Sequence, residues 1–178
     1  AKRIAESFRQ ENQMVVVLSA QGKTTDQLID KSKEITHTAQ ERELDVLLST
    51  GEQMSISLLA MALQELNCPA VSLCGWQVGI HTDMTYQNAR ILKVDTKKIR
   101  KYLEQGMVVI VAGFQGVNEE GDITTLGRGG SDTTAVALAA ALKADRCQIF
   151  TDVEGVYTAD PRLVPDAVKW QEISYNDM

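Results

Sequence analysis

The chain is poor in aromatic residues, histidine and cysteine, and each shortage excludes a kind of protein. Only 5% of its 178 residues are aromatic, too few for a binding surface built mainly from rings. With His37 and His81 as the only histidines and no CxxC pair, a zinc site of His and Cys ligands is not expected. Three unpaired cysteines (Cys68, Cys74 and Cys147) indicate reduced thiols in a cytoplasmic protein rather than a disulfide framework.

The sequence also lacks an excess of positive charge and a long apolar run. Its net charge is −6 and its basic residues are scattered, so a nucleic-acid partner held through phosphates is not expected. Because no continuous apolar run approaches eighteen residues and no signal peptide is visible, we expect neither a membrane span nor export. The 44% hydrophobic content, mostly Val, Ile, Leu and Ala, is typical of a globular domain.

Apolar runs alternate with helical patterns along the chain. The runs at 14–18, 70–74, 107–112 and 147–151 predict strands buried on both faces, and the helical patterns at 26–39 and 135–142 lie between them. This order predicts the α/β class, as a three-layer α/β/α sandwich around a mostly parallel sheet. Ligands in such folds bind beyond the carboxyl ends of the strands.

The loop 124–134 combines glycines with polar and charged side chains just before the alanine-rich helix. Ser131 and Asp132 occupy the predicted N-cap of that helix, where side-chain oxygens accept free backbone N–H groups. Gly127 and Gly129 allow a sharp turn, and Arg128 between them can hold a carboxylate or phosphate through two hydrogen bonds. A glycine loop that opens a helix is a general design for an anion site.

A second helix start is predicted within 49–53, after a charged link at 40–43. Ser49 or Thr50 would be its N-cap, with Glu52 or Gln53 completing a capping box. Taken alone, Glu52 is equally well explained as a first-turn acid favoured by the helix dipole or as a ligand-binding carboxylate. Together with Arg128, it would suit the opposite charges of an amino acid zwitterion.

Three segments in order (49–52, 124–132 and 151–162) resemble those of the aspartate kinases, which are members of the amino acid kinase family. They read Ser-Thr-Gly-Glu, Thr-Thr-Leu-Gly-Arg-Gly-Gly-Ser-Asp and Thr-Asp-Val-Glu-Gly-Val-Tyr-Thr-Ala-Asp-Pro-Arg. The resemblance covers essentially the whole chain and implies the amino acid kinase fold. It also implies ATP-dependent phosphorylation of the β-carboxylate of L-aspartate, the first step towards lysine, threonine and methionine.

The same resemblance assigns roles to particular residues. Those expected to bind aspartate are Thr25, Glu52, Arg128, Ser131 and Asp132. Those expected around ATP are Thr151, Asp152, Tyr157, Asp160, Arg162 and Lys169. Asp132 and Lys169 would be catalytic, and Mg²⁺ would arrive with ATP and not at a separate metal site of the protein. The aspartate-binding part would span roughly 1–132 and the nucleotide-binding part roughly 133–178.

The sequence departs from the family pattern in several places. It contains no Lys-Phe-Gly-Gly-Thr-Ser motif, whose lysine stabilises the charge moving between ATP and aspartate, and no C-terminal ACT domains. Val168 stands beside Lys169, where family members often carry a second basic residue. We therefore expect a catalytic domain truncated at both ends, with little activity alone, from a full-length protein that forms homo-oligomers.

Three alternatives remain open at this point. A kinase of the same fold could act on glutamate, carbamate or a nucleoside monophosphate. A non-catalytic regulatory protein could retain the fold, as the missing lysine motif would suggest. The third is an unrelated nucleotide-binding module, although Gly22-Lys23-Thr24 lacks a glycine five positions earlier, where Val17 stands, and so fails the P-loop spacing.

Overall fold

The computed structural model describes residues 1–151, 155–159 and 163–173. The chain divides into two compact units, Ala1–Cys147 and Gln148–Met178. The helices of the first unit are α1 (Lys2–Phe8), α2 (Thr24–Ile35), α3 (Glu41–Glu65), α4 (Lys97–Glu104) and α5 (Gly130–Leu142). Its strands are β1 (Val15–Leu18), β2 (Ala70–Leu73), β3 (Ile80–Thr82), β4 (Ile91–Val94), β5 (Val108–Ala112), β6 (Gln115–Val117) and β7 (Ile123–Thr125).

A three-stranded parallel sheet in the order β1-β5-β2 forms the centre of the first unit. All five residues of β5 are buried, because the strand is flanked on both edges and covered on both faces. Val108 and Ile110 face a cluster contributed by α1 and α3, whereas Val109 and Val111 face a cluster that includes residues of α4 and α5. Helices on both faces of a parallel sheet confirm the predicted α/β class.

A second, four-stranded sheet in the order β4-β3-β6-β7 lies within the same unit. Strands β6 and β7 form an antiparallel hairpin whose turn contains Gly121. Strand β3 and the short 3₁₀ helix Gly75–Val78 lie in a stretch that sequence patterns leave irregular. Each is only three or four residues long, too short for a periodic pattern to emerge.

Two predicted helix starts are wrong, each for a local reason. Helix α3 begins at Glu41 and runs unbroken through Ser49 and Thr50, whose hydroxyls donate to the carbonyl oxygens of Val46 and Leu47 at 2.8 and 2.7 Å. These hydrogen bonds to the preceding turn let both hydroxyls find an acceptor without interrupting the helix. Glu52 is therefore a mid-helix residue.

Helix α5 starts two or three residues earlier than predicted. Gly129, in the left-handed conformation with φ of 71°, occupies the N-cap. Ser131 and Asp132 consequently lie in the first turn of the helix instead of capping it. The carboxylate of Asp132 is still favoured there by the helix dipole.

The predicted strand at 147–151 does not form. These residues carry no regular structure, and Ile149 and Phe150 are exposed. An apolar run becomes a strand only where the edge of another strand accepts its backbone hydrogen bonds. The prediction of a strand from this apolar run is therefore wrong, because residues 147–151 pair with no other strand among the described residues.

Within the described residues, α3 is the single helix long and apolar enough to cross a membrane by length and composition. It contacts β2, β5 and β7, and its buried side chains recur at the three- and four-residue spacing of a helix face. The amino-terminal half of that face is polar and includes Asp45, Ser49 and Glu52. The carboxyl-terminal half is apolar and packs on the central sheet, as expected of a core helix.

Candidate active site

Glu52 is a buried carboxylate at the polar end of the α3 face. Its side chain is 3% exposed, and Oε1 accepts a hydrogen bond from the backbone N–H of Ala20 at 2.9 Å. Oε2 is buried and has no hydrogen-bond partner among the described residues. Burial raises the pKa of Glu52, and the Ala20 N–H bond only partly offsets that rise. A buried acceptor with spare capacity beside a loop can bind a cationic group of a ligand.

Close packing beneath the loop after β1 brings Ala20 to Glu52. A Cβ placed on Gly51 would lie 2.9 Å from the Cβ of Ala20 and 3.5 Å from the methyl group of Thr24, so only glycine allows this approach. Thr25, predicted to bind substrate, follows in the first turn of α2 and is half-buried. The loop after β1 thus packs directly on α3 at Gly51, the residue before Glu52.

Ser131, in the first turn of α5, packs against the carboxyl end of β5, the strand next to β1. The register pairs Leu18 of β1 with Ala112 of β5, and the next N–H, of Gly113, donates to the Leu18 carbonyl at 2.9 Å. A Cβ on Gly113 would lie 2.6 Å from Oγ of Ser131. The first turn of α5 therefore sits directly on the carboxyl end of β5. The structure places Ser131 beyond the carboxyl ends of two adjacent parallel strands, where the fold type predicts a ligand.

Arg128 and Asp132 flank the start of α5 and are both exposed. Arg128 lies between Gly127 and Gly129, which have φ of 75° and 71°. The left-handed turns lead into a helix whose free N–H groups favour an anion. Arg128 adds a full positive charge to the same end of the helix.

Asp45 is a functional candidate that sequence reasoning missed. Its side chain is 0% exposed and accepts hydrogen bonds from the N–H of Gln87, the N–H of Thr125 and the hydroxyl of Thr125. Burial raises the pKa of Asp45, and these donors counteract the rise. The available signal was a charged residue inside the apolar stretch 44–48, two helical turns before Glu52 and so on the same helix face.

Gln115 was missed as well. It is 0% exposed, and its Nε2 donates to the Ser49 carbonyl at 3.0 Å. Its Oε1 is buried without a hydrogen-bond partner in the part of the chain that the structure describes. Gln115 bonds to Ser49 of α3, close in sequence to Glu52, and each of the two side chains has one buried acceptor oxygen without a hydrogen-bond partner among the described residues. A polar residue between Gly113 and Gly116, directly after the most buried strand, was the signal in the sequence.

The second unit contains the residues predicted to lie around ATP. Tyr157 and Lys169 face each other across an antiparallel bridge, with Thr158 N–H donating to the Val168 carbonyl at 3.0 Å. Tyr157 is half-buried, and Thr151 and Lys169 are exposed. Asp152, Asp160 and Arg162 lie outside the described residues. Two of the six predicted nucleotide-binding residues are thus brought together within this unit, and the role of all six stays a prediction.

Comparisons with known proteins identify the family of the chain. The model of the amino acid kinase family matches residues 1–178. An aspartokinase of Geobacillus stearothermophilus is 60% identical over all 178 residues, which span 44% of that relative.

Solved structures give the same result. The aspartate kinase of Synechocystis has a TM-score of 0.76 and 53% identity, over 94% of this chain and 27% of that one. Aspartokinase III of E. coli, in complex with aspartate and ADP, has a TM-score of 0.71 and 33% identity, over 82% of this chain and 33% of that one. The family resemblance predicted from three motifs is confirmed: the chain belongs to the amino acid kinase family.

Proposed function

We propose that the protein carrying this chain is an aspartate kinase, which transfers the γ-phosphoryl group of MgATP to L-aspartate. A β-carboxylate oxygen of aspartate attacks the γ-phosphorus, and the bond from that phosphorus to the β,γ-bridging oxygen breaks. The products are 4-phospho-L-aspartate and ADP. The reaction needs alignment and charge stabilisation more than a covalent nucleophile on the protein.

The observation that carries this proposal is the carboxylate of Glu52, buried with one oxygen unsatisfied. The α-ammonium of an amino acid would supply the missing hydrogen bond and the opposite charge, which favours the ionised form that burial disfavours. Arg128 is assigned to the α-carboxylate of aspartate, since its guanidinium can bind both carboxylate oxygens. The relatives named aspartokinase support aspartate over other amino acids.

Around this acceptor we assign the remaining roles by resemblance. Thr25, Ser131 and Asp132 complete the aspartate site, with Asp132 also orienting reacting groups. Thr151, Asp152, Tyr157, Asp160, Arg162 and Lys169 are assigned to ATP. Lys169 supplies positive charge to the transferring phosphoryl group, and Mg²⁺ enters as part of the MgATP substrate.

Substituting Glu52→Gln in the protein as its gene encodes it tests this function. Wild-type protein should release ADP in an aspartate- and MgATP-dependent reaction, and the variant should need far more aspartate. Glu65→Gln is the matched control, because Glu65 is an exposed glutamate at the other end of the same helix. Phosphorylation of glutamate, carbamate or a nucleoside monophosphate in preference to aspartate would contradict the proposal, as would binding without any turnover.

The cellular setting follows from the same proposal. Cys68, Cys74 and Cys147 are free thiols, which suits a reducing compartment, and we expect the protein in the cytoplasm. We also expect homo-oligomers and no nucleic-acid or membrane partner. Light scattering of the natural protein and fractionation of its host cells measure these expectations directly.

A further inference from the structure

Asp45 joins two separate segments to the amino-terminal end of α3. One is the 83–90 loop, held through the N–H of Gln87 at 3.0 Å. The other is the end of β7, held through the N–H and hydroxyl of Thr125, each at 2.8 Å. No other described carboxylate has donors from two such distant segments while being 0% exposed. The carboxylate therefore fixes the separation of these segments.

The two segments meet at the loop that carries Arg128. The N–H of Ala89 donates to the Thr125 carbonyl at 2.9 Å. A Cβ on Gly127 would lie 2.8 Å from Oδ1 of Asn88 and 3.2 Å from the Gln87 carbonyl oxygen. Gly127 therefore rests on the residues that Asp45 holds, and Arg128 comes next in the chain.

We propose that Asp45 is a positioning residue, which holds the 126–130 loop so that Arg128 meets the carboxylate of the substrate. This proposal rests on the proposed function, in which Arg128 binds aspartate. Both oxygens of Asp45 accept from a backbone N–H, so a carboxylate, which has an acceptor on each side, fits this position. Asparagine would turn an NH₂ group towards a backbone N–H, and alanine would leave buried donors unsatisfied.

The structure offers a matched control at the same end of α3. Asp122 accepts hydrogen bonds from Nε of Arg42 at 2.9 Å and from the hydroxyl of Tyr86 at 2.9 Å. These hydrogen bonds join α3 to the β6–β7 turn and the 83–90 loop. Asp122 lies six residues before Arg128, and its partner Arg42 is exposed to solvent. Asp122→Asn therefore weakens the attachment of the same two segments while leaving in place the hydrogen bonds of Asp45 and the contacts of Gly127 with residues 87 and 88.

The experiment compares Asp45→Asn with Asp122→Asn in the protein as its gene encodes it. We expect Asp45→Asn to raise the KM for aspartate by about tenfold or more, because displaced binding groups lose alignment with the substrate. The KM for MgATP should stay within about twofold, and both constants should stay within about twofold in Asp122→Asn. Hydrogen exchange at residues 126–130 should become faster only in Asp45→Asn.

Equal changes of the two variants in aspartate KM, or unchanged exchange at 126–130 in Asp45→Asn, would overturn the positioning role. If the wild-type protein has no aspartate-dependent turnover, the proposed function fails, and the exchange measurement still decides whether Asp45 holds the loop. Thr125→Val is the milder variant if Asp45→Asn does not fold. It removes one donor to Asp45 with little change of volume and should show the same effects at a smaller size.

Discussion

Asp45 and Glu52 are two buried carboxylates on one face of α3, separated by two helical turns, and they differ in how they are satisfied. Burial raises the pKa of both. Both oxygens of Asp45 accept hydrogen bonds, from donors on two other segments of the chain. Glu52 receives one bond from Ala20 and keeps Oε2 buried and unsatisfied.

This difference in hydrogen bonding matches the different roles proposed for the two carboxylates. A buried charge destabilises the fold unless hydrogen bonds replace its lost hydration. Asp45 obtains those bonds within the chain, so it stabilises the arrangement of the loops. Glu52 obtains only one such bond, which fits its proposed role of binding the ammonium group of the substrate. We therefore expect substitutions at the two sites to affect stability in opposite directions.

The largest effect should follow Asp45→Ala. The variant leaves the two N–H groups and the hydroxyl without their acceptor in a buried place, at about 1–3 kcal/mol for each group that water cannot reach. We expect the free energy of unfolding to fall by about 3 kcal/mol or more. Urea unfolding at pH 7 measures this, and a loss below about 1 kcal/mol would show that water replaces the carboxylate.

Next in size is the loss of aspartate binding in Glu52→Ala. Removing the only charged partner assigned to the ammonium group should weaken binding by at least about a hundredfold. Isothermal titration with L-aspartate gives the ratio of Kd values. Glu65→Ala, at the exposed end of the same helix, is the control. Unchanged binding in Glu52→Ala would place the ammonium group elsewhere.

A smaller effect of opposite sign is expected for the stability of Glu52→Gln. The raised pKa means that the folded state binds the proton more tightly than the unfolded state, so wild-type stability falls as the pH rises through that range. Glutamine has no such cost and can still accept from Ala20. The variant should therefore be more stable at pH 8, by about 1 kcal/mol.

The pH dependence provides the check on this prediction. Below the ordinary glutamate pKa, wild-type Glu52 is protonated in both states, and the two proteins should have nearly equal stability. Urea unfolding of both proteins between pH 4 and 8 follows the difference. A Glu52→Gln variant that is less stable at pH 8 would mean that the carboxylate is satisfied within the fold, as Asp45 is.

The smallest effect should follow Asp122→Asn. Its partner Arg42 is on the surface, and the pKa of Asp122 is lowered by the hydrogen bonds from Arg42 and Tyr86. Exposed ion pairs contribute little, because solvent screens them. Thermal unfolding should show only a slight lowering of Tm relative to wild type, and this difference should be smaller still in high salt. A loss equal to that of Asp45→Ala would remove the distinction between the exposed and buried ties.

Local chemistry was sufficient to predict much of this protein from its sequence. Strands β1 and β5 are continuous Val- and Ile-rich runs, and α5 follows from its alanines and leucines, so each element depends mainly on its own residues. The Arg128 loop and the Ser49–Glu52 segment were recognisable by residue type and order. The family follows from those motifs in combination.

Only the tertiary structure decided how the polar groups are satisfied. The spacing of Asp45 and Glu52 in the chain is visible in the sequence, but their opposite states depend on donors from Ala20, Gln87 and Thr125, which lie far from each carboxylate in sequence. Likewise, the apolar run at 147–151 predicted a strand that needs another strand edge to form. Side-chain type and periodicity are local properties, whereas hydrogen-bond partners are set by contacts between distant segments.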